Sequence, residues 1–126
     1  MAKVLVIYCH PSSASHNARI LARVKAGLDA GGAGYEVLDL YDAGFDPCLS
    51  AEEYDGAMAP RESHPDAAIA RWQEAVSRSS DLVFVYPVWW YGMPARLKGF
   101  VDRVFTQGFA YRFFHVPGPL LRVGAM

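Results

Sequence analysis

The stretch that decides the fold is Val4-Leu5-Val6-Ile7-Tyr8. Such an unbroken run of β-branched and aromatic residues is typical of a strand that is buried on both faces of a sheet. A hydroxyl-rich loop follows, in which Ser15 is a natural N-cap, and apolar residues then recur at helical spacing from about Asn17 to Ala30. Since Tyr35–Leu40 has the composition of a second strand, the chain is predicted to open with a βαβ unit.

The alternation of strand and helix continues along the chain. Pro65-Asp66 opens a second predicted helix, Leu82–Tyr86 is a third buried strand, and Ala95–Phe105 is a third helix. Residues 41–64 are predicted to be irregular apart from a short acidic helical turn, and residues 107–126 contain no clear element. This order predicts an α/β fold, an open parallel sheet of about three strands in the order 2-1-3 with helices on both faces. We expect residues 1–126 to form a single domain.

The composition is that of an ordinary globular chain, and it excludes several classes of protein. Of the 126 residues, 52% are hydrophobic and 20% charged, and 12 Lys and Arg against 13 Asp and Glu leave a formal net charge of −1. That balance leaves no excess of positive charge that would attract nucleic acid or an anionic membrane. No apolar run approaches the roughly 20 residues of a bilayer span, and Cys9 and Cys48 are too few for a disulfide framework. We therefore expect a cytoplasmic protein with no nucleic-acid partner and no transmembrane segment.

Two predicted loops follow neighbouring strands and differ in chemistry. Ligands of parallel α/β sheets bind outside the carboxyl ends of the strands where the strand order reverses, so Cys9–Asn17 and Pro87–Pro94 are expected to line one crevice. The first loop supplies serine hydroxyls, His10, His16 and the N–H groups of a helix N-terminus, which are the parts of a phosphate cradle. The second supplies the run Trp89-Trp90-Tyr91, on which a planar ring system can stack. Together they fit a flavin or another aromatic nucleotide cofactor.

Each loop also has a simpler interpretation. Ser15 can serve only as a helix cap, and His10 only as a solvated turn residue. Among the three consecutive aromatic residues, one can pack beneath the third helix and another can fill a dimer interface.

The other reactive and charged residues are expected to be structural or solvated. Cys9 ends a strand, but the first arginine after it, Arg19, lies too far along the chain to close a phosphatase-type anion loop, so a buried thiol is favoured. His64 and His115 lack metal-ligand spacing, and no metal site is predicted. A further set of charged residues is expected to be exposed to solvent. For the arginines in this set, the alternative is contact with the cofactor's phosphates or with a partner. The set is Glu52, Glu53, Asp55, Arg96, Arg103, Arg112 and Arg122.

Two motifs resemble one family of proteins. His10-Pro11 with Ser15 and Asn17, and later the run YPVWWYGMPARLKGFVDRVF over residues 86–105, closely resemble the NAD(P)H:quinone oxidoreductases of the flavodoxin-like fold. That family includes DT-diaphorase, bacterial quinone reductases and the oxidoreductase subunits of potassium-efflux systems. Residues 41–50, YDAGFDPCLS, also resemble the loop after the family's second strand, so the resemblance runs from Lys3 to the end of the chain.

The resemblance implies a cofactor, two sets of binding residues and a reaction. It implies that the flavin phosphates are held by His10, Ser15, His16 and Asn17. It implies that the isoalloxazine ring lies along Pro87, Val88, Trp89, Trp90 and Tyr91. The implied reaction is hydride transfer from NAD(P)H to flavin N5, followed by two-electron reduction of a quinone or a similar small aromatic acceptor. FAD is the expected flavin, and FMN is the alternative.

The sequence departs from the family pattern after its third helix. Family members continue with two further strands, with a loop that binds the pyrimidine edge of the flavin, and with the Tyr and His implicated in charge relay. Those two strands, that loop and the Tyr and His have no counterpart in this sequence, so no catalytic residue is named. We expect a C-terminally shortened member whose third strand pairs with a homodimer mate or a complementing chain. The alternative function is a catalytically silent flavodoxin-like module with a regulatory or interaction role.

Overall fold

The structure, a computed structural model, describes residues 3–56, 64–115 and 121–125, with side chains as far as residue 111. Strands and helices alternate along most of this length. The elements are β1 Lys3–Tyr8, α1 His16–Ala30, β2 Gly34–Asp39, α2 Ala51–Gly56, α3 Ala67–Ser77, β3 Asp81–Val85, α4 Ala95–Val104, β4 Tyr111–His115 and β5 Leu121–Ala125. None of the described helices is long and apolar enough to cross a membrane.

Three parallel strands form an open sheet in the order β2-β1-β3. In its register, Val6 at the centre of β1 lies opposite Val37 in β2 and Val83 in β3. The α/β class and the strand order predicted from the sequence are therefore confirmed. Because β1 and β3 are neighbours, the loops that follow them leave the sheet at adjacent points of its carboxyl edge.

The central strand is buried on both faces, as its unbroken apolar run predicts. Val4, Val6 and Tyr8 point to the face that α1 covers, whereas Leu5 and Ile7 point to the opposite face. On that second face, the strand packs against apolar residues of α3 and α4, which are Ile69, Ala75, Leu97, Phe100 and Val104. Helices thus lie on both faces of the sheet, and α1 and α4 approach the carboxyl edge from opposite sides.

Two side chains cap helices at their starts, the predicted N-cap Ser15 and Asp66. Ser15 Oγ accepts a hydrogen bond from the Ala18 N–H at 3.1 Å, so α1 begins one residue earlier than predicted. Asp66 Oδ1 accepts one from the Ala68 N–H at 2.8 Å and caps α3. These side chains satisfy N–H groups that have no acceptor within the helix.

The region after α4 differs from the prediction. Residues 107–126 were expected to contain no clear element, but β4 and β5 form a two-stranded antiparallel sheet, with Phe113 opposite Val123. Each strand has five residues. The prediction is wrong because these strands depend on pairing with each other, and the intervening Pro117-Gly118-Pro119 breaks the local alternation that would have indicated them.

The expected exposure of Glu53 and Arg103 is also wrong. Only 8% of Arg103 is exposed. Its Nε donates to Glu53 Oε1 at 2.9 Å, its Nη2 to Glu53 Oε1 at 2.8 Å and to Asp66 Oδ2 at 3.0 Å, and its Nη1 to the Asp46 carbonyl at 2.8 Å. A buried guanidinium requires partners for its donors, and these partners join α2, α3 and α4.

The remaining charged residues of the predicted solvated set behave differently from one another. Glu52 and Asp55 are exposed as expected. Arg96 is half-buried, which contradicts the expectation: it lies over the Tyr41 ring at 4.4 Å and donates to the Leu40 carbonyl at 3.3 Å. The side chains of Arg112 and Arg122 lie outside the described residues.

Candidate functional site

The loops that follow β1 and β3 contact each other at the carboxyl edge of the sheet. The Cys9 N–H donates to the Val85 carbonyl at 3.0 Å, which continues the pairing of the two strands into their loops. One step further out, the His10 and Trp89 rings meet edge to face, with centroids 5.9 Å apart and planes inclined by 62°. The sequence-based expectation that these two loops come together therefore agrees with the structure.

The β1–α1 loop, residues 9–15, is ordered by its own polar groups. The Ser12 N–H donates to His10 Nδ1 at 3.0 Å, and the Ser12 carbonyl accepts from the Ser15 N–H at 3.3 Å. Ser12 Oγ accepts from the Ala14 N–H at 3.3 Å. Ser12 was not among the predicted binding residues, although the His-x-Ser spacing is a signal for it. A side chain that accepts from the N–H two residues later is a common turn motif.

The start of α1 has the donor set of an anion site. Ser15 is half-buried and caps the helix, Asn17 is half-buried, and His16 is exposed. The N–H groups of His16 and Asn17 belong to the first turn, where no intrahelical acceptor exists. The helix has 15 residues and no acidic side chain in its first turn, so the positive end of its dipole is not neutralised there. This donor set fits the phosphate end of a flavin nucleotide.

The β3–α4 loop contains a tight aromatic turn, residues 89–92. Trp89 and Gly92 exchange backbone hydrogen bonds of 3.0 and 3.1 Å. The two residues between them, Trp90 and Tyr91, have φ angles of 51° and 61°. Turns with positive φ at both central positions normally carry Asn or Gly, and two bulky residues in this region carry strain on the order of 1 kcal/mol each. Strained backbone of this kind is concentrated at functional sites.

None of the three consecutive aromatic residues is buried. Trp89 is 43% exposed, Trp90 96% and Tyr91 102%. This agrees with the prediction that the three cannot all enter the core, and the alternative in which one of them packs beneath α4 is wrong. Just before the turn, Pro87 is half-buried and Val88 is exposed. The segment thus presents apolar and aromatic surface beside the β1–α1 loop.

Cys9 lies beneath this site and is fully buried. Burial raises the pKa of its thiol, and this effect outweighs the hydrogen bond from the Leu97 backbone and the charge of Arg96, which lower the pKa. A thiol with a raised pKa stays protonated at neutral pH and is a poor nucleophile. The structure therefore agrees with a structural role for Cys9 and not with a phosphatase-type reaction.

A cavity of about 430 Å³ lies away from these loops, between residues 43–46 and the start of α3. Asp66, Trp72 and Arg103 are among the residues that line it. Its charged lining residues are Asp46, Asp66, Arg71 and Arg103, and the Arg103 guanidinium is already hydrogen-bonded to the Asp66 carboxylate and the Asp46 carbonyl. The chemistry suited to a nucleotide cofactor is at the paired loops, and we place the candidate site there.

The chain belongs to the family of proteins with a flavodoxin-like fold, because the model of that family matches residues 2–124. It is 35% identical over 112 residues to an uncharacterized NAD(P)H oxidoreductase of Haemophilus influenzae, a match that covers 86% of this chain and 52% of the relative. It is 32% identical over 127 residues to NAD(P)H dehydrogenase (quinone) 1 of Cavia porcellus, with 90% and 46% covered.

A solved structure shows the same similarity. The NAD(P)H:quinone oxidoreductase from Methanothermobacter marburgensis is similar to this chain with a TM-score of 0.83 and 38% identity. The similar region covers 88% of this chain and 56% of that one. The chain therefore spans about half the length of the relatives it matches.

Proposed function

We propose that the chain binds a flavin across its two paired loops and takes part in NAD(P)H-dependent reduction of a quinone. The observation that carries the proposal is the contact between His10 and Trp89, because through it the loop that leads into α1 meets the loop that carries the aromatic turn. The names of the similar proteins support the same class of reaction.

At the phosphate end, the first turn of α1 holds the anionic part of the cofactor. The N–H groups of His16 and Asn17 donate to phosphate oxygens, and the dipole of α1 favours the negative charge. His10 and the hydroxyl hydrogen of Ser15 are the further donors, since Ser15 Oγ uses only an acceptor site in capping the helix. FAD is the proposed flavin and FMN the alternative, and both present a phosphate group to this loop.

At the ring end, residues 87–91 form one wall of the site. The Trp89 side chain offers an aromatic face, and Pro87 and Val88 offer apolar surface that excludes water from the ring. The N–H groups of Trp90 and Tyr91, which take no part in the exchange between Trp89 and Gly92, are the donors for negative charge that develops during reduction. A flavin bound here supplies the hydride acceptance from NAD(P)H and the two-electron transfer to a quinone or a similar small aromatic acceptor. No side chain of this chain is assigned a proton transfer.

The proposal includes a partner and a location. Within the described residues, β3 pairs with β1 alone, and an edge strand is a template for another strand. A homodimer mate or a complementing chain is proposed to cover that edge. Two unpaired cysteines suit a reducing compartment such as the cytoplasm.

The test is a visible absorption spectrum of the purified chain after incubation with FAD or FMN and thorough desalting. We expect a retained, structured flavin band that NADH bleaches and that a quinone restores. A retained band without bleaching would contradict the oxidoreductase and favour the silent binding module. A folded chain that retains no flavin would contradict the site itself.

A variant that introduces a negative charge makes the test specific to the first turn of α1. His16→Asp places a carboxylate at an exposed position where it favours the helix, so the fold is expected to be at least as stable. The same carboxylate repels a phosphate, and we expect flavin affinity to fall at least about tenfold. The matched control is Ala67→Asp, which adds the same charge to the exposed first position of α3, away from the two loops.

A further inference from the structure

A continuous series of contacts joins the N-cap of α1 to the aromatic turn. The Ser15 hydroxyl caps α1, and the Ser15 N–H donates to the Ser12 carbonyl at 3.3 Å. The Ser12 N–H donates to His10 Nδ1 at 3.0 Å, and the His10 ring contacts Trp89 at a centroid distance of 5.9 Å. His10 is the residue at which this series crosses from one loop to the other.

The orientation of both rings follows from these contacts. The hydrogen bond to Nδ1 fixes the plane of the half-buried His10 imidazole relative to the Ser12 backbone. The backbone of Trp89 is fixed by its exchange of hydrogen bonds with Gly92, whereas its side chain is 43% exposed. The edge-to-face contact with His10 is one restraint on the orientation of the Trp89 ring.

We propose that His10 is a positioning residue that couples the two halves of the site. An anion at the first turn of α1 draws the Ser15 hydroxyl hydrogen toward itself, and the Ser15 N–H is hydrogen-bonded to the Ser12 carbonyl, so the Ser12–Ser15 segment shifts with it. The His10 ring moves with this segment and transmits the movement to the Trp89 ring through their contact. Binding of an anion at the phosphate end thereby changes the orientation of the Trp89 ring. This inference rests on the proposed anion-binding role of the β1–α1 loop.

The experiment is a titration of the full chain with inorganic phosphate, followed by a two-dimensional nitrogen–proton correlation spectrum. The backbone amides of His16 and Asn17 report binding at the helix start. The indole N–H of Trp89, assigned by its loss in Trp89→Phe, reports the orientation of the ring in the same spectrum. The indole of Trp72, which lies in α3 away from both loops, is the internal control. We expect the two amides and the Trp89 indole to shift with one common dissociation constant, and the Trp72 indole to stay in place.

Two substitutions of His10 separate its two contacts. His10→Asn keeps an acceptor for the Ser12 N–H, since Asn readily accepts from the N–H two residues later, but it removes the ring. His10→Phe keeps an aromatic edge against Trp89 and removes the acceptor. Because His10 is itself one of the proposed donors, we expect both variants to bind phosphate more weakly. At saturating phosphate the amides still shift, whereas the phosphate-induced shift of the Trp89 indole falls at least about fivefold. Only His10→Phe is expected to keep the resting position of the Trp89 indole signal near that of the original chain.

The outcomes distinguish this inference from the function on which it rests. If the amides shift and the Trp89 indole does not, the coupling is wrong and the anion site stands. If the indole responds equally in His10→Asn, the coupling does not pass through His10, and the inference is also wrong. If neither the amides nor the indole shifts in the original chain, both the anion site and the coupling are refuted.

Discussion

At the scale of single residues, the ion pair of Glu53 and Arg103 is the contact whose contribution can be measured most directly. Burial raises the pKa of the Glu53 carboxyl, but the hydrogen bonds from Arg103 and from the Ser50 backbone, together with the nearby positive charges, lower it below its ordinary value overall. A carboxyl whose pKa is lowered on folding stabilises the folded state above its unfolded pKa, and this contribution is lost as the pH falls through the folded value.

We therefore expect Glu53→Gln to lower the free energy of unfolding by about 2 kcal/mol at neutral pH. Gln can keep an oxygen in the place of Oε2, which accepts from the Ser50 N–H at 2.8 Å, but it loses the charge and the Oε1 acceptor of the two shorter Arg103 bonds. The difference from the original chain should narrow as the pH falls below about 4, where the glutamate itself begins to protonate. Urea denaturation at neutral pH and at a pH below about 4 measures this difference in the free energy of unfolding.

Glu52→Gln is the matched control for this prediction. Glu52 is in the same first turn of α2 but is exposed, so its change should stay within about 0.5 kcal/mol. A loss at Glu53→Gln that is equally large at both pH values would mean that the charge makes no contribution and that only the shape of the side chain matters.

At the scale of secondary-structure elements, replacing glycine by alanine is expected to have opposite effects on stability at two helical positions. A Cβ at Gly99 in α4 would overlap the backbone and the ring of Pro47, so the helix packs closely against residues 46–48 only because this position is glycine. A Cβ at Gly27 in α1 would meet nothing within 4 Å. Glycine in a helix interior is less favourable than alanine because of its backbone entropy.

Gly27→Ala should accordingly raise the free energy of unfolding by about 0.5–1 kcal/mol. Gly99→Ala should lower it by about 2 kcal/mol, since the helix or the Pro47 loop must shift. Both values come from the same urea denaturation series, and each variant controls for the other. A stabilising Gly99→Ala would show that α4 and the Pro47 loop are not in close contact.

The secondary-structure elements also show which parts of the fold could be predicted from the sequence. The three strands, their helices and the caps at Ser15 and Asp66 depend on patterns within a few residues, and these patterns are visible in the chain. The pairing of Glu53 with Arg103 joins positions 50 residues apart, and no local pattern indicates it. β4 was not predicted for the same reason: its partner β5 is separated from it by a proline-containing segment of the chain.

The candidate site was predictable in its placement and not in its detail. The strand order brings the loops after β1 and β3 together, and this follows from topology. The positive φ angles of Trp90 and Tyr91 run against the preference of bulky residues, so composition indicated no such turn. The contact of His10 with Trp89 depends on that turn and could be found only in three dimensions.

At the scale of the whole molecule, the outer edge of β3 is the surface at which we expect association. In the part of the chain that the structure describes, β3 is hydrogen-bonded to β1 on one side and to no strand on the other. Phe84 on this edge strand is 38% exposed. Ile20 on α1 is exposed to nearly the same extent, 39%, but lies on a helix face. An edge strand offers unpaired backbone N–H and C=O groups to another strand, which a helix face cannot do.

We expect the chain to associate with itself through the β3 edge, and sedimentation velocity over a range of concentrations measures this. Phe84→Lys places a charge on the edge strand, a substitution that disfavours edge-to-edge pairing, and it should shift the chain to monomer. Ile20→Lys adds the same charge at an equally exposed apolar position of α1 and should leave association unchanged. If Ile20→Lys dissociates the chain and Phe84→Lys does not, the helix face is the contact surface. A chain that is strictly monomeric at every concentration would mean that the β3 edge needs no copy of this chain to cover it.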